Sequence, residues 1–195
     1  DPRPGGKVFL NGKPLNCRTP HDAIVNGVVM VPEDRKLQGI IPRMSVGRNI
    51  SIGSLDQITN RLGFVNTRRE EQIGLEGKAN FNIKTPDLEK PIVELSGGNQ
   101  QKAIVARWMS TKPKVLILDE PTKGIDVGAK SEFYNMICEF AKEGLAVILI
   151  SSELPEVIGL SDRIIVMRGR RIVGEISAKD ATEEKLLSMA MMEET

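Results

Sequence analysis

Apolar residues recur along this chain in two rhythms. Short unbroken runs stand at Val28-Val29-Met30-Val31, at Val115-Leu116-Ile117-Leu118 and from Ala146 to Ile150. Other stretches keep a helical beat: Ile104, Val105, Trp108 and Met109, then Phe133, Met136, Ile137, Phe140 and Ala141 at i, i+3, i+4, i+7 and i+8. Unbroken runs bounded by turn residues read as buried strands. Alternating with amphipathic helices, they predict an α/β fold whose parallel sheet is covered on both faces. The periodic set around Phe140 and Ala141 is assigned to the core.

Punctuating residues fill in the rest. Asn11-Gly12 between Lys7–Leu10 and Lys13–Leu15 is a hairpin signal. Thr19-Pro20 opens a short helix that Gly27 closes. Pro32 to Pro42 reads as a loop, and Ser45 caps a helix through Ile50. Thr67-Arg68-Arg69-Glu70 has the spacing of a capping box and starts a helix towards Phe81. Ile83 to Pro91 is polar and proline-punctuated, hence loop. A helix follows Gly97-Gly98, Gly144 ends the Phe133 helix, and a short helix begins near Glu153. Arg163–Met167 and Arg171–Ile176 are strands around a Gly169 turn, and Asp180 to Met192 is helical.

At 195 residues the chain suits one domain with at most a small subdomain. A net charge of +1 excludes a polyanion binder held by bulk charge, and 4% aromatics are too few for base-stacking platforms, so no nucleic-acid partner is expected. Cys17 and Cys138 are far apart and read as reduced thiols. His21, the one histidine, sits in a polar Thr-Pro-His-Asp stretch and reads as a surface residue. A membrane span takes about 20 apolar residues; the longest apolar run here is Leu145 to Ile150. The chain opens on Asp, not Met, which reads as a piece of something longer.

Two constellations carry chemistry. In Val115–Pro121 a buried strand runs into Asp119 and Glu120, with no compensating base nearby in sequence. Ligands of open α/β sheets bind beyond the carboxyl ends of the strands. There Asp119 suits a Mg²⁺ ion, and Glu120 suits the general base for a water attacking a γ-phosphate; the plain alternative is an acidic turn. In Leu95–Lys102, read LSGGNQQK, Ser96 and two glycines open a helix whose free N–H groups suit an anion. Two absent side chains let a phosphate approach the backbone and Ser96 adds a hydroxyl; the plain alternative is a simple helix cap.

The order LSGGNQQK, helix, VLILDEPTKGID resembles the nucleotide-binding domain of ABC transporters. LSGGNQQK looks like the signature motif, Val115–Glu120 like the Walker B strand, and Lys123-Gly124-Ile125-Asp126 like the D-loop. With VPEDRK at Val31–Lys36 and ISSELPEV at Ile150–Val157, the whole chain is similar to the second half of the tandem ATPases of bacterial monosaccharide importers. That resemblance implies a P-loop NTPase-like sheet with an N-terminal antiparallel hairpin and a helical subdomain over about 45–95. Residues 96–195 would hold the signature helix, Walker B core and C-terminal part. It implies ATP and Mg²⁺ as cofactors. Partners would be a second nucleotide-binding domain, fused or a dimer mate, and transmembrane permease subunits at the cytoplasmic face of the inner membrane. Direct sugar binding is not expected.

Departures matter as much. No G-x-x-x-x-G-K-[ST] occurs, so the phosphate loop is absent and the chain reads as cut just after it, inactive alone. Glu33 stands where the family has its Q-loop glutamine, Ser152 where it has the switch histidine, and Asn99 where many members have glutamine. The resemblance makes ATP sites composite, so Leu95, Ser96, Gly97, Gly98, Asn99 and Gln100 would close over ATP held by another domain. Glu33, Asp119, Glu120, Gly124, Asp126 and Ser152 would belong to this chain's own edge and lobe contact. The rival reading is a non-hydrolysing half that only binds a partner; a soluble ATPase of DNA repair or translation would need heptads or a basic patch. Arg35 and Lys36 read either as nucleotide or permease contacts or as a solvated loop. Met189, Met191 and Met192 read as helix packing or an adaptable surface.

Overall fold

The computed structural model describes residues 5–191. A minimal antiparallel hairpin comes first, β1 (Phe9–Leu10) and β2 (Lys13–Pro14), with Asn11 and Gly12 both at positive φ as the tight turn requires. Helix α1 (Pro20–Asn26) carries a full capping box between Thr19 and Asp22 and ends on left-handed Gly27. Strands β3 (Val28–Val31), β4 (Val115–Asp119) and β5 (Ala146–Ile150) form a parallel sheet in the order β3-β4-β5.

Between β3 and β4 the chain is helical: α2 (Val46–Ser51), α3 (Leu55–Ile58), α4 (Thr67–Asn80) and α5 (Gly97–Met109). After β4 come α6 (Val127–Lys142) and, after β5, α7 (Leu154–Leu160). An antiparallel pair, β6 (Arg163–Arg168) and β7 (Arg171–Ser177), and then α8 (Glu183–Met191) complete the described chain. No helix of the described residues is long and apolar enough to cross a membrane.

One core joins sheet and helices. Val29, Val31, Leu116 and Leu118 are buried with Val46 and Ile50 of α2, Ile73 of α4, Ala103–Ala106 of α5 and Phe133, Ile137 and Phe140 of α6. Arg107 is buried within it and meets no carboxylate among the described residues. It donates instead to Asn49 O at 2.6 Å, Gly39 O at 2.7 Å and Asn49 Oδ1 at 2.9 Å, and burial pushes its pKa down to about 10. It therefore stays cationic at neutral pH and ties α5 to α2.

Several expectations change. Among the described residues the sheet is packed on one face: on the other, Met30, Ile148 and Ile150 are 43%, 50% and 46% exposed, because the described helices gather on the Val29–Leu116 side. Pro32–Pro42 is not all loop, since Arg35–Gly39 form a wide helical turn capped by Asp34, whose carboxylate accepts from the Lys36 and Leu37 N–H groups. The cap of α4 is Asn66, accepting from Arg69 N at 3.1 Å, and Thr67 is the first helical residue. The final helix starts at Glu183, after a short turn over Ala178–Asp180. Ala141 is exposed, on the solvent side of α6. Met189 packs on Gly174 of β7, Met191 is 75% exposed, and Met192 lies outside the described residues. Cys17 and Cys138 are free thiols, and His21 is exposed on α1.

Candidate functional site

Two edges hold the singled-out residues. The first is the carboxyl end of the sheet. Parallel register sets Val31 beside Leu118, and Asp119 beside Ile150, so the residues that follow converge. Glu120 sits at φ 44°, a left-handed turn that a non-glycine residue adopts at a cost, and its N–H donates to Ile150 O at 2.8 Å. The turn brings its carboxylate back, where Oε1 accepts from Ser152 N at 2.8 Å. Ser151 Oγ accepts from Glu153 N and donates to the buried Glu156, which braces the loop.

Glu33 and Glu120 face Asp119. Partial burial first, then the charges of Glu33 and Glu120, raise its pKa above the usual carboxylate value. The expectation of acids without a nearby base needs correction. Lys123 Nζ binds Glu33 Oε1 at 2.6 Å, and that hydrogen bond raises the lysine pKa in turn. Among the described residues no group of three or more His, Cys, Asp or Glu side chains is arranged to hold a metal.

The second edge is the start of α5. Ser96 is exposed and caps the helix: its Oγ accepts from Asn99 N at 3.5 Å and from Asn99 Nδ2 at 2.9 Å. Gly97 and Gly98 serve different ends. A Cβ on Gly97 would stand 2.9 Å from Arg35 Nη2, a flexible tip, whereas one on Gly98 would stand 2.9 Å from the Ala129 Cβ of α6. Gly97 thus lets the Arg35 guanidinium and the Gly124 carbonyl, 3.3 Å from that Cβ position, close on the helix start. Gly98 is buried, and the place of its missing side chain is taken by the packing of α5 on α6. Leu95 and Gln100 are buried too, and the Gln100 amide is spent internally: it donates to Ile92 O and Leu95 O and accepts from Arg35 Nε at 3.2 Å.

Arg35 is partly buried, which lowers its pKa, and no carboxylate among the described residues forms an ion pair with it. Asp126 caps α6, accepting from Ala129 N at 2.9 Å, and Gly124 turns at φ 69° in open space. Between the starts of α5 and α6 lies a cavity of about 300 Å³ lined by Ser96, Asn99, Lys84, Lys102, Asp126 and Glu132, among others. Lys102 is buried and pairs with Glu132. The sequence reading gave no role to Lys84 and no partner or burial to Lys102, Lys123 and Glu156, which only the fold defines.

The profile of the family described as "ABC transporter" matches residues 2–123. The arabinose import ATP-binding protein AraG of Mannheimia succiniciproducens is 53% identical over 99% of this chain and 38% of its own length. The xylose import ATP-binding protein XylG of Pectobacterium atrosepticum is 46% identical over 97% of this chain and 37% of its own. The chain spans a little over a third of the length of these curated relatives. The solved structure of MJ1267, an ATP-binding cassette of an ABC transporter, superposes with a TM-score of 0.78 at 20% identity, covering 97% of this chain and 78% of that one. A dimeric ATP-binding cassette, MJ0796, gives 0.74 at 17% identity over 90% and 74%. The chain belongs to the ABC transporter family and has the ABC ATPase fold.

Proposed function

We propose that this chain is part of the ATP-hydrolysing component of a bacterial monosaccharide importer, in which ATP and water yield ADP and phosphate as sugar is taken up. Its role is to present the Ser96–Asn99 helix start to ATP bound by a second nucleotide-binding domain. The observation that carries this reading is the exposed Ser96 cap at the rim of a cavity lined by Lys84, Lys102, Asp126 and Glu132. N–H groups at a helix start favour an anion. Residues of about 45–95 would be the helical subdomain meeting the permease, at the cytoplasmic face of the inner membrane. The similarity to arabinose and xylose import proteins supports a monosaccharide cargo.

Mg²⁺ fits one residue of this chain. Among the described residues Asp119 forms no ion pair and its ionised form is disfavoured by its neighbours, so a hard cation is the partner it lacks. A single carboxylate suffices, because Mg²⁺ is usually held by one or two carboxylates with substrate phosphates completing the shell. When bound it would neutralise phosphate charge. Glu120 would hold a water by its free carboxylate oxygen, its other oxygen being fixed by Ser152 N–H.

The test is ATPase activity of the transporter reconstituted with this chain in membranes. Ser96→Arg should lower it more than about 100-fold, the scale of losing a positioned donor and filling its space. An unchanged rate would refute the reading. The chain alone, having no phosphate loop motif in its sequence, should bind Mg-ATP more weakly than micromolar in calorimetry. A second reading, a signature-bearing half that does not hydrolyse ATP at its own edge, is favoured by Ser152 and by the Lys123–Glu33 pair. Mixing the chain with its partner domain and locating the hydrolysing site by Glu120→Gln separates the two.

A further inference from the structure

Resting on the reading just given, we infer that Arg35 is a positioning residue for ATP hydrolysis: through Gln100 it fixes the approach to α5 against the turn that follows β3. That turn, Arg35–Gly39, lies along one stripe of α5. Arg35 Nε donates to Gln100 Oε1 at 3.2 Å. Four residues on, Ile104 fills the space beside Gly39, where a Cβ would stand 2.6 Å from its Cδ1. Three further on, Arg107 Nη1 donates to Gly39 O at 2.7 Å. Positions 100, 104 and 107 share one helix face, so the two ends of the turn grip α5 on successive turns.

The grips at Ile104 and Arg107 secure the body of the helix; the one at Gln100 reaches its start. Gln100 is buried, and its NH₂ donates to Ile92 O at 3.2 Å and to Leu95 O at 3.1 Å. The amide that Arg35 holds therefore also sets the turn that leads into Ser96. The rigid fork of the guanidinium extends past Gln100 to Gly97, where the Gly124 carbonyl also closes in. The turn after β3, the start of α5 and the loop after β4 meet at this one residue. Partial burial disfavours the Arg35 cation, offset by the charge of Asp34, and among the described residues it forms no ion pair. A cation so placed adds little to stability; what it supplies is the angle of the helix start.

Arg35→Met tests this, since it keeps the apolar stem and removes the donors. In the reconstituted transporter ATPase kcat should fall about 10-fold, because misplacing reacting groups by about 1 Å costs up to about 100-fold. KM for ATP, set by the domain that holds the nucleotide, should stay within about twofold. Arg35→Lys, whose ammonium still reaches Gln100 Oε1, should recover most of the loss. In a Gln100→Ala background Arg35→Met should cost no more than about a further twofold. Amides of Asn99–Gln101 should exchange hydrogen about tenfold faster in Arg35→Met, with those of Ile104–Met109 unaltered. An unchanged kcat, a raised KM in its place, no recovery by Arg35→Lys, unaltered exchange at Asn99–Gln101 or a full further loss in the Gln100→Ala background overturns the inference. Ser96→Arg with an unchanged rate defeats the proposed function, and this inference with it. With that rate lost and Arg35→Met at full kcat, this inference alone falls.

Discussion

The start of α5 and the carboxyl edge of the sheet are built from similar materials but settle their hydrogen bonds differently. At the helix start, Asn99 fills the acceptor sites of Ser96, and Arg35 lies over Gly97 with no carboxylate partner among the described residues. Donors are left facing outward. At the sheet edge the groups consume one another: Glu33 is taken by Lys123 and one oxygen of Glu120 by Ser152 N–H, which leaves Asp119 as the unpaired anion. An edge with surplus donors is prepared for a ligand brought by another body. An edge that satisfies itself is restrained chemistry, and must exchange internal partners before it can act.

The sharpest way to break this comparison is to damage each edge once. Ser96→Arg should remove more than about 100-fold of ATPase activity, while Glu120→Gln in this chain should cost less than about fivefold, because its site is the self-satisfied one. The measurement is steady-state ATPase of the reconstituted transporter. Equal collapse for both would mean that the sheet edge is a working hydrolytic site and that its internal bonds open readily.

Next in size is the foundation of the helix start. Arg107 anchors α5 through three hydrogen bonds, and Arg107→Met would take the donor from Gly39 O and Asn49 O in the core, while Asn49 Oδ1 keeps the Ile41 N–H. Each buried unsatisfied group costs about 1–3 kcal/mol, partly offset because a buried cation is no longer desolvated. A net loss of about 2–3 kcal/mol lowers Tm by roughly 4–12 °C in a domain of this size. A Tm within about 1 °C of the parent in differential scanning calorimetry would show that α5 holds its place without this brace.

How far the sequence reached follows the same divide between local and distant partners. Asn11-Gly12, the Thr19-Pro20 helix start, Gly27 and the Phe133–Ile137–Phe140 stripe act through neighbours within a turn or two, and each appears where its spacing placed it. The wide turn at Arg35–Gly39 was illegible, because Gly39 is needed by Ile104, whose Cδ1 would lie 2.6 Å from any added Cβ. The cap of α4 moved by one residue since Asn66 and Thr67 are both competent caps and only the chain's entry path chooses. At the candidate site the acids and the signature residues were legible by type. Their partners were not: Lys123 meets Glu33 across 90 positions, and Lys84 reaches Asn99 across 15.

The smallest effect concerns the cost of keeping Asp119 unpaired. Its folded-state pKa is raised above the ordinary 3.8 by burial and then by Glu33 and Glu120. A carboxyl group so raised favours the folded state while protonated, below 3.8, and that advantage is lost as pH climbs through the higher folded value. Near pH 7 the ionised side chain is therefore a net burden on stability, moderated by its partial contact with solvent. Asp119→Asn removes the charge and keeps the shape, so Tm should rise at pH 7 by roughly 1–2 °C and show no gain near pH 3.5. The same substitution should weaken Mg²⁺-dependent nucleotide binding in the assembled transporter. A fall in Tm at pH 7 would mean that Asp119 is held by a partner after all, and that the sheet edge satisfies its last acid as well.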